Sequence, residues 1–265
     1  MSTILFESGV FGPVHSRRLG LSLGINLLPA DRKVCSFDCL YCECGFTKHG
    51  LSTGSSLPTR KDVRDKLKRV LSDMQSRSER PDVITFAGNG EPTLHPDFRG
   101  IVDDVVELRD VFAPLARIAV LSNATMLKRN DVVEALCKVD EAILKIDSGL
   151  EKTVAMLDRP QGNYVLSDVV ERIGALRERF GQRLVVQTMF TEWTDAEGRV
   201  HNNTSEEDVR PWIDILCYIR PPRVMIYTID RETPLSNMKK ISSEVLEAIG
   251  ERVRSAVGCL VEVAG

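Results

Sequence analysis

Cys35, Cys39 and Cys42 stand in the run Cys-Ser-Phe-Asp-Cys-Leu-Tyr-Cys, a C-x3-C-x2-C spacing on one short loop. It supplies three thiolates, not four. A cubane 4Fe–4S cluster has four irons, and a closed electron-transfer site gives each iron a cysteine. A loop with three leaves one iron open to a small molecule, so such a cluster can do chemistry as well as carry electrons. Zinc is the rival. Cys35, Cys39, Cys42 and Cys44 would make a four-thiolate site, but structural zinc sites pair two close cysteines with a second pair many residues away. Here all four are crowded together, and Cys44 is left outside the ligand set as a spare thiol or a neighbour of it. Cys137, Cys217 and Cys259 stand singly in apolar, helix-like contexts and read as small buried hydrophobes. An odd count of 7 cysteines in 265 residues, with no signal-peptide pattern, predicts a reducing, cytoplasmic location rather than a disulfide framework.

Other chemistry-bearing residues fall where strands should end. Asn89-Gly90-Glu91-Pro92 follows Val83–Gly88; Gly88 and Gly90 permit close backbone approach, and Glu91 offers a carboxylate to an ammonium group. An ordinary turn is the plainer reading. Asn123 follows Leu121-Ser122 and is a candidate polar contact or a turn residue. Asp147 and Ser148 fit hydroxyl recognition. Lys145 shares a strand face with Asp147, so it either pairs with Asp147 or meets a substrate carboxylate. Gln187, Tyr227 and Asp230 are candidates to line an interior. His15, Arg17 and Arg18 could hold an anionic group, or belong to a strand-and-turn cover.

The elements that must position these residues are six apolar, β-branched runs: 21–28, 83–88, 117–122, 141–147, 183–190 and 224–229. Near-continuous apolar runs are strands buried on both faces, as in a parallel sheet. Between them lie helical patterns opened by Thr59, His95, Asn130, Ser167, Ser205 and Ser242. Six strand–helix units predict right-handed crossovers and an incomplete (β/α)6 TIM-like barrel, with the cysteine loop at its C-terminal mouth. Residues 1–20 read as an N-terminal extension and 21–265 as a single core domain. Residues 48–58 and 194–205 read as polar loops, the second a surface insertion or a substrate lid.

Hydrophobic content of 43% and charged content of 28% support a sizeable core. A net charge of −3 gives no footprint for tight nonspecific nucleic-acid binding, and the basic stretch 60–69 reads as a solvated face. No apolar run is long enough to span a membrane.

With its aromatic residue before the last cysteine, the cysteine loop resembles that of the radical S-adenosylmethionine (SAM) superfamily, whose cores are incomplete barrels of this type. The resemblance implies a 4Fe–4S cluster on Cys35, Cys39 and Cys42, and SAM chelated to the open iron. It also implies SAM contacts at Tyr41 (adenine), Asn89, Gly90 and Glu91 (amino group), Asn123, and Asp147 with Ser148 (ribose). Asn89 stands where the family pattern has a first glycine. A one-electron donor such as flavodoxin or ferredoxin is implied as partner. The opening Phe11-Gly-Pro-Val-His-Ser-Arg-Arg-Leu-Gly, the Gly90-Glu-Pro-Thr-Leu segment and Asp158-Arg-Pro resemble a group of radical SAM proteins related to the tRNA wyosine-base synthases. The extra cysteines of those synthases are not found here. Three readings stay open: an enzyme modifying RNA or a small molecule, a glycyl-radical activase acting on a partner protein, and a non-catalytic iron–sulfur or zinc protein.

Overall fold

The apolar runs become strands of one mixed sheet in a computed structural model that describes residues 4–7, 9–16, 18–47 and 55–265. β1 (Gly9–Ser16) and β2 (Gly20–Asn26) form an antiparallel hairpin. The chain then runs α1 (Arg60–Ser76), β3 (Val83–Phe86), α2 (Phe98–Phe112), β4 (Arg117–Ser122), α3 (Asn130–Leu136), β5 (Glu141–Lys145), α4 (Glu151–Leu157), α5 (Leu166–Phe180) and β6 (Leu184–Thr194). It continues through β7 (Val200–Asn202), α6 (Glu206–Ile219), β8 (Arg223–Thr228), β9 (Met238–Lys240), α7 (Ser243–Val257) and β10 (Leu260–Ala264). Strands β2, β3, β4, β5, β6, β8 and β10 pair in that order, all parallel, with β1 on the β2 edge. The order begins and ends on different strands, so the barrel is incomplete, as the repeated strand–helix pattern predicts.

Both strand faces are buried, which is why the runs read as continuous. Ile84, Ile118, Val120, Leu144, Val186 and Ile226 pack beneath the helices in the main core. By the period-two alternation of a strand, Val83, Ala119, Ile143, Val185 and Met225 point the other way and form a separate apolar layer inside the curl, joined by Leu19 from the β1–β2 turn. That layer is the floor beneath the site.

Helix starts follow local chemistry. Thr59 accepts from the Asp62 amide while the Asp62 carboxylate accepts from the Thr59 amide, a closed capping box. Ser205 and Ser242 cap α6 and α7 in the same way from one side. Three helix starts differ from the sequence reading: α2, opened by His95 in that reading, begins at Phe98 with Asp97 as its cap, and the caps of α3 and α5 differ too. Asn130 is the first residue of α3 rather than its cap, which is Arg129, and Ser167 lies inside α5, whose cap is Val165. Neither cap residue makes a side-chain capping bond; burial of Val132, Val133, Val169 and Val170 sets these helices instead. In the basic stretch, Arg60 and Arg64 pair with Asp104 of α2, tying α1 to its neighbour.

Five elements are additional to the six strands and six helices read from the sequence: β1, α4, β7, β9 and β10. β1 carries Gly12 and Pro13, which interrupt a strand pattern, but an edge strand tolerates a proline because one side has no ladder to supply. α4 is only seven residues long, and β10 adds a seventh parallel strand after α7. The polar stretch 194–205 is not a plain loop. β6 runs on to Thr194, turns and pairs with β7, while β9 pairs with the same extension of β6. Of the predicted loop 48–58, residues 48–54 lie outside the described residues, as does Arg17. No helix among the described residues is long and apolar enough to cross a membrane.

Candidate active site

The cysteine loop lies beyond the C-terminal end of β2, between two backbone walls. On one side Val34 bridges Gly90: the Val34 amide donates to the Asn89 carbonyl (2.8 Å) and the Glu91 amide to the Val34 carbonyl (3.1 Å). Gly90 is required there. Its φ is +135°, and a Cβ would sit 1.9 Å from the Val34 oxygen. On the other side the segment Leu157–Gln161 runs beside the loop. The Asp38 amide donates to the Asp158 carbonyl (3.0 Å), Leu40 to Leu157 (2.9 Å) and Gln161 to Ser36 (2.7 Å). The Asp158-Arg-Pro segment therefore shapes the loop that carries the thiols.

Two buried ammonium groups flank the thiols. Lys145 Nζ donates to Cys39 Sγ (2.9 Å), pairs with Asp158, and stands 3.3 Å from Asp147. Both branches of its sequence reading concern carboxylates; the structure gives it two of them and the Cys39 thiol. Lys33 Nζ donates to Asp38 (3.2 Å) and to the Gly45 carbonyl (3.0 Å). Burial alone would lower the Lys33 ammonium, yet Cys42, Cys35, Cys39 and Asp38 together raise it. For Lys145 too, burial is outweighed, by Asp147, Asp158 and Cys39. Burial and the neighbouring Asp147 push the Asp158 carboxyl up to about 7, against the pull of Lys145. One ammonium thus serves two carboxyl groups that no solvent screens.

The thiols differ. Burial, then Glu91, pushes Cys35 up to about 12, and burial raises Cys39 well above the ordinary thiol range. A hydrogen bond from Cys44 holds Cys42 down at about 6, against burial and with help from Lys33. Cys44 is raised as the donor in that pair, and its sulfur also meets the Gly88 carbonyl (3.2 Å). The donor set fits a cluster: three cysteines on one loop, close enough to perturb one another, with two cations to offset thiolate charge. Among the described residues no three Cys, His, Asp or Glu side chains are set to hold a single metal ion. A cubane asks instead for one thiolate on each of three irons.

The other sequence-predicted residues form a buried network around this loop. The Asn89 side chain donates to the carbonyls of Phe6 (2.8 Å) and Pro29 (2.7 Å) and accepts from the Phe6 amide (2.8 Å). Glu91 is 3% exposed and raised by burial; its carboxylate accepts from Thr93, from Ser122 Oγ (2.8 Å) and from the Asn123 amide (2.7 Å), joining the ends of β3 and β4. Asn123 Nδ2 donates to Ser36 Oγ (2.8 Å) and lies 3.7 Å from Cys35 Sγ. Tyr41 donates its hydroxyl to Asp147, whose other oxygen accepts from the Met189 amide (2.9 Å). Ser148 is buried and donates to Asp208 (2.9 Å). Lys33 and Asp38 carry no spacing pattern, Asp158 was marked only by the Asp158-Arg-Pro resemblance, and the roles of all three come from tertiary contact. A lysine two residues before the first cysteine was the available signal for the first of them.

Tyr41 and Gly88 also line a cavity of about 300 Å³ inside the curl, with Arg18, Ser22, Thr85 and Tyr227. His15 and Asp230 line it too, while Gln187 reaches it through Arg18, whose Nη1 donates to Gln187 Oε1 (2.7 Å). The three-cysteine loop thus lies over the C-terminal mouth of an open parallel barrel, with a cavity running inward from it, at the end where such barrels place their chemistry.

Comparison with known proteins agrees. The Radical SAM superfamily model matches residues 33–201, and the chain belongs to that superfamily. It is 34% identical over 231 residues to a UPF0026 protein of Methanocaldococcus jannaschii, covering 82% of this chain and 68% of the relative. It is 29% identical over 238 residues to a Brachyspira hyodysenteriae protein named GTPase Obg, covering 90% of this chain but 32% of that protein. Its fold is similar to Streptococcus suis SuiB bound to S-adenosylmethionine, with a TM-score of 0.62 at 15% identity, covering 91% of this chain and 50% of SuiB. The chain thus spans about a third to a half of the length of two of these three proteins.

Proposed function

We propose that the protein is a radical SAM enzyme with one 4Fe–4S cluster on Cys35, Cys39 and Cys42, acting on a substrate bound in the barrel cavity. The observation that carries this reading is the placement of three thiols between two buried ammonium groups at the mouth of that cavity. When bound, the cluster supplies the electron that cleaves SAM to methionine and a 5′-deoxyadenosyl radical, which takes a hydrogen atom from the substrate. The chain's own residues supply the setting. Lys33 and Lys145 offset the charge of the thiolates, and Lys145 fixes the Cys39 sulfur by a direct bond. Tyr41 and the backbone around Gly88 offer SAM a wall beside the cysteines. Asn89, Gly90, Glu91, Asn123, Asp147 and Ser148 hold that wall and the strand ends in place, so that SAM meets a rigid surface. The apolar floor beneath keeps water from the reacting atoms. An electron donor such as flavodoxin or ferredoxin reduces the protein, in the reducing cytoplasm.

The test is anaerobic reconstitution with iron and sulfide, reduction with dithionite, and detection of 5′-deoxyadenosine after adding SAM. About four irons per chain and a SAM-dependent product are expected. Cys35→Ala, Cys39→Ala and Cys42→Ala should each lose the iron, while Cys44→Ala keeps it. Zinc in place of iron, or an intact cluster in Cys35→Ala, overturns the assignment.

A further inference from the structure

The cavity holds a second polar group beside the thiols, and its chemistry names a class of substrate; this inference rests on the function proposed above. Arg18 follows β1 and places its guanidinium 4.1 Å above the centre of the Tyr227 ring. One N–H donates to Gln187. Among the described residues no carboxylate pairs with Arg18, so four of its five donors have no protein acceptor there. A guanidinium stacked on a ring and pinned by an amide is held in one pose with its remaining donors available. The Tyr227 hydroxyl beside it likewise bonds to no described residue. Burial pushes Tyr227 up to about 12, so it is a donor at neutral pH. The Ser22 and Thr85 hydroxyls, 2.8 Å apart and both lining the cavity, form a further polar point. Part of the wall is apolar: Phe6 stacks on Phe11 at 4.1 Å, and Leu121 and Met189 face the same space, while His15, Glu43, Asp230 and Arg231 line the rest.

We propose that Arg18 and Tyr227 anchor the oxyanion of a low-molecular-weight substrate, a carboxylate or a phosphate monoester carried on an apolar, ring-sized body. The anionic group lies at the Arg18 end and the body extends along Phe11 and Met189 toward Tyr41. A cavity of about 300 Å³ over an apolar floor admits a small molecule rather than a folded polymer. Arg18 acts on no reacting atom; it is a substrate-binding residue.

The experiment uses reconstituted, SAM-loaded protein and three probes: benzoate, phenyl phosphate and neutral benzamide, followed by saturation-transfer NMR and calorimetry. At least one anion should bind in the millimolar range, at least about tenfold more tightly than benzamide, as one charged contact predicts. Preference for benzoate assigns a carboxylate and preference for phenyl phosphate a phosphate ester. Arg18→Met should weaken the anion about tenfold or more, with Arg18→Lys recovering part of it. Tyr227→Phe gives an independent, smaller loss if Arg18→Met fails to fold. Equal binding of benzamide, no anion binding, or an unchanged Kd in Arg18→Met overturns the proposal. Wild-type protein that cleaves SAM but binds neither anion sinks this inference alone. Anion binding at Arg18 without SAM cleavage sinks the radical reading alone.

Discussion

Among the described residues Lys145 is the one cation set between the buried Asp147 and Asp158 carboxyl groups, and removing it should be among the most damaging single changes in the molecule. Its side chain is 9% exposed; those of Asp147 and Asp158 are 0% and 2% exposed. Lys145→Met keeps the aliphatic stem but leaves Asp147 and Asp158 facing each other without an ammonium. Breaking a buried ion pair from one side costs about 3–5 kcal/mol, because the stranded charge has neither partner nor water. For a chain of this size that corresponds to a fall in Tm of roughly 6–20 °C. Asp158→Asn in the Lys145→Met background removes the second carboxylate and should return at least half of the loss, giving a coupling energy of about 2 kcal/mol. Thermal and urea unfolding of the cluster-free, reduced protein measure this apart from any effect on iron. A loss under 1 kcal/mol in Lys145→Met, or a double variant no more stable than the single one, refutes the reading of one ammonium serving two acids.

Gly90→Ala should lower stability by at least about 1–3 kcal/mol from its positive φ alone. The Val34 contact makes the added methyl worse, so iron loading should fall as well, read as iron per chain. His95 is held neutral: burial lowers it, Nε2 bonds the Pro58 carbonyl (3.0 Å), and Nδ1 accepts from the Asp97 amide (3.1 Å). With the folded pKa below the unfolded 6.5, the stability tied to this ring is full above pH 6.5. It is lost as pH falls, at up to about 1.4 kcal/mol per pH unit. Comparing Tm at pH 7.5 and 5.5 for wild type and His95→Gln isolates that loss; equal pH dependence in the two proteins contradicts it. Asn89→Gly should cost about 2–4 kcal/mol by stranding the Phe6 and Pro29 groups, with faster hydrogen exchange at the Phe6 amide as its direct sign.

What could be read in the sequence was what is local. The C-x3-C-x2-C spacing, the both-face-buried strands and the Thr59, Ser205 and Ser242 caps each need only a few adjacent residues. The site around the thiols is not local. Lys145 reaches Cys39 across 106 positions, and Arg18 reaches Gln187 across 169. No periodicity announces such pairs, because they arise only when the sheet curls and brings strand ends together. Lys33 and Asp38 lie within the cysteine loop itself, yet nothing in their spacing says that both are buried. β1 was legible only as the strand-and-turn alternative for the N-terminal segment, because Gly12 and Pro13 are residues that an edge strand accepts and an interior strand does not. The residues expected to touch SAM were found together, but their polar atoms are largely engaged with one another, as with Glu91 and Ser122 or Ser148 and Asp208. Position along a strand can place a residue at the mouth; it does not say which neighbour its side chain takes.

The departure at Asn89 explains why the N-terminal segment belongs to the site. A glycine there would satisfy the need for close backbone approach, which Gly88 and Gly90 already meet on either side. Asparagine adds three side-chain bonds, two of them to Phe6. Phe6 in turn stacks on Phe11, and the Phe11 ring lies so close over Gly24 that a Cβ there would meet it at 2.1 Å. One substituted glycine beside the cysteine loop therefore fastens the strand that lines the far side of the cavity and leads to Arg18. The fastening is mechanical, so it has a measurable consequence for binding. Asn89→Gly, which restores the family pattern at the loop, should leave iron loading near the wild-type level. It should weaken the anion held at Arg18 by a few-fold, as the Phe6–Phe11 wall loosens. If Asn89→Gly instead loses iron and binds the anion unchanged, Asn89 serves the cysteine loop and not the N-terminal wall.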